Sequence, residues 1–238
     1  MTGPGAPDLE RGALAQAVPG RPLRFYPALL STGADALAWA RAGAAEGSIV
    51  AADYQASPRG RAGVQWHVRP GCDLCFSLVL RPRLSAEREG WLYTVAVSGV
   101  ADALGAGTTI HWPDEVHRDG TRAGAVGVEA ELGPGGTEWA VVNVLVTNAT
   151  PPRGALLARV VEALEARYRA HPEEVLADYV PRCATLGRLV RARMIPLGPA
   201  GVEIAGTAVD LRSDGALVIK TAQGSRVAAR PQHLGVIE

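Results

Sequence analysis

The chain has 238 residues, 24 basic against 24 acidic side chains, 47% hydrophobic content, 28 Gly and 17 Pro. At roughly 150 residues per domain this predicts one large core with something small attached, and an apolar share of that size excludes a disordered chain. The balanced charge argues against a general nucleic-acid binder, and the lack of any apolar run of about 18 residues or of a signal-type N-terminus points away from the membrane, so a cytoplasmic protein is expected.

Glycine and proline crowd residues 1–22, which predicts an extended arm. A short strand is expected over 23–26, then Ser31-Thr32-Gly33 ahead of an Ala-rich helix over about 34–45, then a strand over 48–54. Residues 55–69 hold three arginines and two glycines between strands, the pattern of a loop held over a sheet face. A strand over 73–81 follows, and a helix over 86–104, where Trp91, Val95, Ser98, Val100 and Ala101 share a broad face at helical spacing. Further strands are expected over 108–111, 123–132 and 138–147, the last two joined at Gly133-Pro134-Gly135-Gly136. Helices should cover 153–170 and 172 to about 186, with a break near Pro181. Beyond Gly187, five short segments (189–195, 202–211, 216–221, 226–229, 234–237) separated by tight turns predict a small barrel.

Three cysteines, Cys72, Cys75 and Cys183, suit a reducing compartment. The Cys72–Cys75 spacing lacks the second pair that a four-ligand zinc site needs, so no metal site is assigned and the thiols read as small strand residues.

Several motifs then follow one another in a specific order. Pro58-Arg59-Gly60-Arg61-Ala62-Gly63-Val64-Gln65-Trp66 resembles the Gly-Arg-Gly-Arg loop of biotin protein ligases, and Gly71-Cys72-Asp73-Leu74 with Cys75-Phe76-Ser77-Leu78 the strand after it. Ser31-Thr32 stands where that family has Ser-Thr-Asn, and His111-Trp112-Pro113-Asp114-Glu115 resembles its Lys-Trp-Pro-Asn-Asp. Ala123-Gly124-Ala125-Val126 is similar to its Ala-Gly-Ile-Leu, and Val146-Thr147-Asn148 to its Gly-Ile-Asn. Thr185-Leu186-Gly187, Gly206-Thr207-Ala208 and Asp214-Gly215-Ala216 resemble the start and body of its terminal SH3-like barrel. Lipoate ligases share this fold, and the loop ending at His67 also looks like theirs.

The resemblance spans about residues 23–238 and implies an α/β fold of the α+β kind. It places a mixed-sheet catalytic domain of the biotin/lipoate ligase type over 23–187, after an arm over 1–22, and an SH3-like domain over 188–238. It further implies ATP and Mg²⁺ as cofactors, biotin or lipoate as the acid substrate, and a biotinyl or lipoyl carrier protein as partner. A homodimer through a sheet edge is also in keeping with the family. Family members that double as repressors carry a DNA-binding segment ahead of the catalytic domain; only the arm precedes Leu23, so no DNA binding is expected.

By this resemblance Arg61 is the ligand of the adenylate phosphate or acyl carboxylate, a task suited to a planar fork in a Gly-flanked loop, with Arg59, Gly60 and Trp66 beside it. Gln55 orients the substrate head or ends a strand, and Ser31 and Thr32 bond a polar ring or cap the helix; both readings stand. Trp112 and Asn148 are substrate contacts or, respectively, packing and a turn residue. The histidines His117, His171 and His233 read as surface residues.

The departures concern charge. Lys220 is the only lysine of the chain. His111 stands where the family has a lysine, and an imidazole of pKa about 6.5 is mostly uncharged near neutrality unless a phosphate raises it. A second family lysine is replaced by Thr121 or Arg122, and Arg122 still offers charge. Asp114 and Glu115 add carboxylates that either hold Mg²⁺ or repel phosphate. Three readings follow: an ATP-dependent biotin-type ligase weakened by the lost lysines, a non-catalytic homologue that binds the acid or a carrier, and a lipoate or octanoate transferase.

Overall fold

The computed structural model describes residues 8–198 and 201–238. The elements are α1 (Arg11–Ala17), β1 (Leu23–Leu29), α2 (Thr32–Arg41), β2 (Ile49–Gln55), β3 (Leu74–Leu80), α3 (Trp91–Leu104), β4 (Thr108–His111), β5 (Glu115–Arg118), β6 (Thr121–Gly133) and β7 (Gly136–Val146). They continue with α4 (Arg153–Arg169), α5 (Pro172–Tyr179), β8 (Leu189–Met194), β9 (Glu203–Leu211), β10 (Leu217–Lys220), β11 (Arg226–Ala229) and β12 (Leu234–Ile237).

The first seven strands form one sheet in the order β1-β2-β3-β7-β6-β5-β4. Only β1 and β2 run parallel, so the sheet is mixed, as the family resemblance implies. Its central strands are buried on both sides, and the alternation of strand side chains divides their residues cleanly. Leu74, Phe76, Leu78 and Leu80 of β3, with Val142, Val144 and Val146 of β7, join the large core that includes α3 and α4. On the opposite face Val79 and Val141 pack under α2, whereas Cys75 and Leu145 lie under Trp66. Between these two apolar patches sit Ser77 and Asn143, both buried.

Ser31 caps α2, its Oγ accepting from the Ala34 N–H at 3.3 Å, with Asp35 in the first turn and Arg41 in the last matching the helix dipole. The helix expected over 86–104 divides into a 3₁₀ turn at Ala86–Arg88 and α3. Gly90, between the two, touches the turn joining β9 to β10: a Cβ on Gly215 would lie 2.3 Å from the Gly90 carbonyl oxygen. In the same way, the helix expected to run from 172 ends at Tyr179, just before a 3₁₀ turn containing Pro181.

Three expectations are corrected. The arm is not wholly extended, for α1 lies within it and packs on α4, with Leu9, Leu14 and Val18 buried. A helix this short is held by tertiary packing rather than propensity, and flanking Gly and Pro hide it in the sequence; residues 1–7 lie outside the described residues. β5 is an additional strand, missed because Glu115-Val116-His117-Arg118 is short and polar. The five C-terminal strands form where expected, in an antiparallel sheet of order β11-β10-β9-β8-β12, but among the described residues the edge strands β11 and β12 do not pair with each other. The 3₁₀ turn at Pro231–His233 carries the chain from one edge across to the other, so the sheet is open rather than a closed barrel. Among the described residues no helix is long and apolar enough to cross a membrane.

Candidate functional site

The loop after β2 folds back on itself as a small hairpin. Gly60 N donates to the Val64 carbonyl at 2.8 Å and Trp66 N to the Pro58 carbonyl at 2.9 Å, and Ala62 and Gly63 turn the chain at φ 53° and 73°. Gly60 is required at its position because Trp66 lies across it: a Cβ there would stand 2.4 Å from the indole Nε1. The other side of Gly60 rests on β6, where a Cβ on Gly127 would meet the Gly60 backbone at 3.0 Å. Trp66 is 5% exposed and packs with Val68, Cys75, Ala125 and Leu145, which fastens the loop to the sheet.

The loop forms one wall of a cavity of about 440 Å³ between the two sheets. Arg61, Trp66, His111, Trp112, Asp114 and Arg122 all line it, half of the twelve residues singled out from the sequence. The hairpin from β4 to β5 brings in four residues at once, since His111 pairs with Glu115 across a three-residue turn holding Trp112 and Asp114. Trp112 is anchored from two sides, its backbone N–H donating to Thr185 Oγ1 at 2.9 Å and its indole to the Gly215 carbonyl at 3.0 Å. Its role is therefore packing as well as lining.

Arg61 is held through one nitrogen of its fork and one ionic contact. Its Nη1 donates to the Gly235 carbonyl at 3.1 Å and to that of Leu234. Its Nε lies 3.1 Å from Asp114 Oδ2, with the two side chains 10% and 18% exposed. The Nε–H has no aligned acceptor, so this contact is ionic rather than a hydrogen bond. Burial pushes the Asp114 carboxyl above the usual carboxylate range, and the Arg61 guanidinium works against that shift.

His111 stacks on His117, with ring centroids 3.8 Å apart and planes 18° from parallel. Glu115 accepts from Arg122 Nη1 at 3.1 Å and lies 2.8 Å from His117 Nε2. Burial would raise the Glu115 carboxyl, but these two partners hold it below its ordinary value. Burial pushes His111 down, and His117 and Arg188 add to this against the pull of Glu115. Near pH 7 these influences favour the neutral imidazole of His111. Asp114 and Glu115, the two carboxylates the sequence offers to Mg²⁺, are each committed to an arginine, an arrangement that does not fit a metal site.

The other six residues lie elsewhere. Gln55 and Thr32 are buried together, the Gln55 Oε1 accepting from Thr32 N at 2.8 Å and from Thr32 Oγ1 at 3.2 Å. The chain of contacts continues from Thr32 Oγ1 through Ser77 Oγ at 2.8 Å to Asn143 Oδ1 at 2.7 Å. Ser31 serves as the helix cap, and Gly60 as the floor beneath Trp66. Arg59 is exposed and bonds the Gly63 carbonyl at 3.0 Å within its own loop. Asn148, at φ 51°, accepts from Arg69 Nη2 at 2.9 Å and donates its N–H to Asp73 Oδ1 at 2.9 Å, tying down the base of the loop.

Sequence reasoning missed His117, which is half-buried rather than on the surface, and the Ser77–Asn143 pair. Alternation gave a usable signal for the pair, since both interrupt apolar strands. For His117 none existed, because its neighbour is set by a strand pairing. Gly127 was also overlooked, although a glycine inside a strand signals close backbone approach.

No protein-family model matches the chain. It is 29% identical over 215 residues to the biotin–[acetyl-CoA-carboxylase] ligase of Mycobacterium tuberculosis, covering 79% of each chain. It is 33% identical over 126 residues to the bifunctional ligase/repressor BirA of Bacillus subtilis, a match covering 51% of this chain but only 38% of that protein. Among solved structures, the biotin protein ligase of Aquifex aeolicus in complex with biotin and ATP superposes with a TM-score of 0.68 at 19% identity, covering 91% of this chain and 98% of that one. A biotin protein ligase-like protein of unknown function from Silicibacter does so with a TM-score of 0.66 at 16% identity, covering 90% and 95%. The chain is therefore biotin-protein-ligase-like in sequence, and its fold is the fold of biotin protein ligases.

Proposed function

We propose that the protein is a biotin-type protein ligase that adenylates biotin or a related acid and passes the acyl group to a lysine of a carrier protein. The observation that carries this reading is the convergence of Arg61, Trp66, His111 and Arg122 on one cavity. In this reading residues 23–187 act as the catalytic domain and 188–238 as an appended domain closing the cavity. The acid carboxylate attacks the α-phosphorus of ATP, the bond to the bridging oxygen breaks, and pyrophosphate leaves. A carrier lysine amine then attacks the acyl carbon, AMP departs and the amine loses a proton.

Both steps build charge on phosphate oxygens, so cations fixed in place are what the site must supply. Arg61 offers a fork from the loop, while Arg122 approaches from β6 already paired with Glu115. Neutral His111 can donate a hydrogen bond but no charge. A lost preorganised donor typically costs about a hundred- to thousandfold in rate, which makes this a slow enzyme. His67 is exposed and does not line the cavity, so the lipoate or octanoate reading loses its support. The non-catalytic reading is favoured by the same neutral His111. Pyrophosphate exchange with biotin, lipoate and octanoate in turn decides among them. Exchange with biotin that rises at least about tenfold in His111→Lys supports the ligase; no exchange in either protein, with biotin still bound, leaves the non-catalytic homologue.

A further inference from the structure

The cation best placed for a phosphate is already partly engaged by the protein itself. Arg61 is held by the Asp114 carboxylate and by two carbonyls of the C-terminal sheet, at Leu234 and Gly235. The carbonyls belong to β12 and bridge the loop to the second sheet, whereas Asp114 lies on the β4–β5 turn, in the wall of the cavity. Among the described residues Asp114 is therefore the one carboxylate in direct contact with the guanidinium, at the place where an anionic ligand of Arg61 would bring its own charge. Two anions cannot share one side of the same fork without repulsion, since like charges a few ångströms apart in a half-buried site interact strongly.

We propose that Asp114 is an internal competitor for Arg61: a phosphate-bearing ligand enters the cavity by exchanging with the Asp114 carboxylate on Arg61, and this exchange sets the affinity of the site for phosphate. The proposal rests on the ligase reading and adds a regulatory element to the same site. The geometry suits exchange rather than permanent pairing. The Nε–H of Arg61 is unaligned with Asp114, while the bonds of Nη1 to β12 can persist and keep the loop in place when the carboxylate is displaced. Asp114 is thus a positioning residue that holds Arg61 ready and at the same time weakens ligand binding.

The test compares AMP with adenosine, the same nucleoside without the phosphate, by calorimetry on the full chain. In Asp114→Asn the ratio of AMP to adenosine affinity is expected to rise about tenfold, in Asp114→Glu to stay near that of the unaltered protein, and in the Arg61→Ala background Asp114→Asn is expected to change nothing. An unchanged ratio in Asp114→Asn overturns the competitor role while leaving the ligase reading intact. An equal rise in the Arg61→Ala background attributes the effect to simple removal of charge and overturns the exchange. AMP binding to none of the variants overturns both the exchange and the nucleotide site on which it rests. Circular dichroism on each variant confirms that the fold is kept; where Asp114→Asn fails to fold, Asp114→Ser takes its place with the same expected outcomes.

Discussion

Two largely buried arginines are used in opposite ways. Arg153, at the start of α4, is 2% exposed and lies 2.6 Å from both Asp8 and Asp53, while its Nη1 also donates to the Asp73 carbonyl at 3.1 Å. Its partners come from the segment ahead of α1, from β2 and from the residue just before β3, so one guanidinium joins three parts of the fold. Arg61 is 10% exposed and has one carboxylate, two carbonyls and an Nε–H without an aligned acceptor. The first arginine is saturated on the far side of the sheet from the cavity; the second is left with an exchangeable partner at the cavity wall. Saturation of donors separates a structural arginine from one available for chemistry more sharply than burial does.

Removing either arginine should break the comparison in its own direction. Arg153→Met strands two carboxylates, and loss of one partner from a buried pair costs about 3 kcal/mol, readable as a lowered midpoint in urea unfolding. Arg61→Met should lower that midpoint by less, because it strands one carboxylate where Arg153→Met strands two. Equal losses in the two variants would show that Arg61 is as structural as Arg153.

A smaller effect is expected from pH. His111 is held below its ordinary value by burial and by His117, so the unfolded chain takes up the proton first. The associated stability is fully present above the unfolded pKa of about 6.5 and declines as pH falls below it. His111→Gln should flatten that part of the stability profile, measured by thermal melts from about pH 7.5 to 5.5. A profile unchanged by the substitution would contradict the buried stack as its source.

The sequence made β2, β3, β6, β7 and α4 legible because their apolar runs are long and bounded by Gly and Pro. It concealed α1 and β5, each a short element whose stability comes from what it packs against. In the site, the resemblance named Arg61, Trp66, His111 and Arg122, and the cavity gathers these four. The engagement of Arg61 by β12, more than 170 residues away in the chain, had no local signature. Neither did the His111–His117 stack, which arises because His117 pairs with Thr109, two residues before His111 on the same face of β4. Trp112 and Asn148 illustrate the reverse case, where the plainer reading of packing or a turn describes the contacts seen.

In the proposed reaction Arg61 meets the phosphate of an acyl adenylate inside this cavity. The direct measurement is calorimetric binding of biotinyl-5′-AMP to the unaltered protein and to Arg61→Ala. Binding weakened about a hundredfold in the variant is the expected result. Equal affinity for the two proteins, or no binding by either, would contradict it.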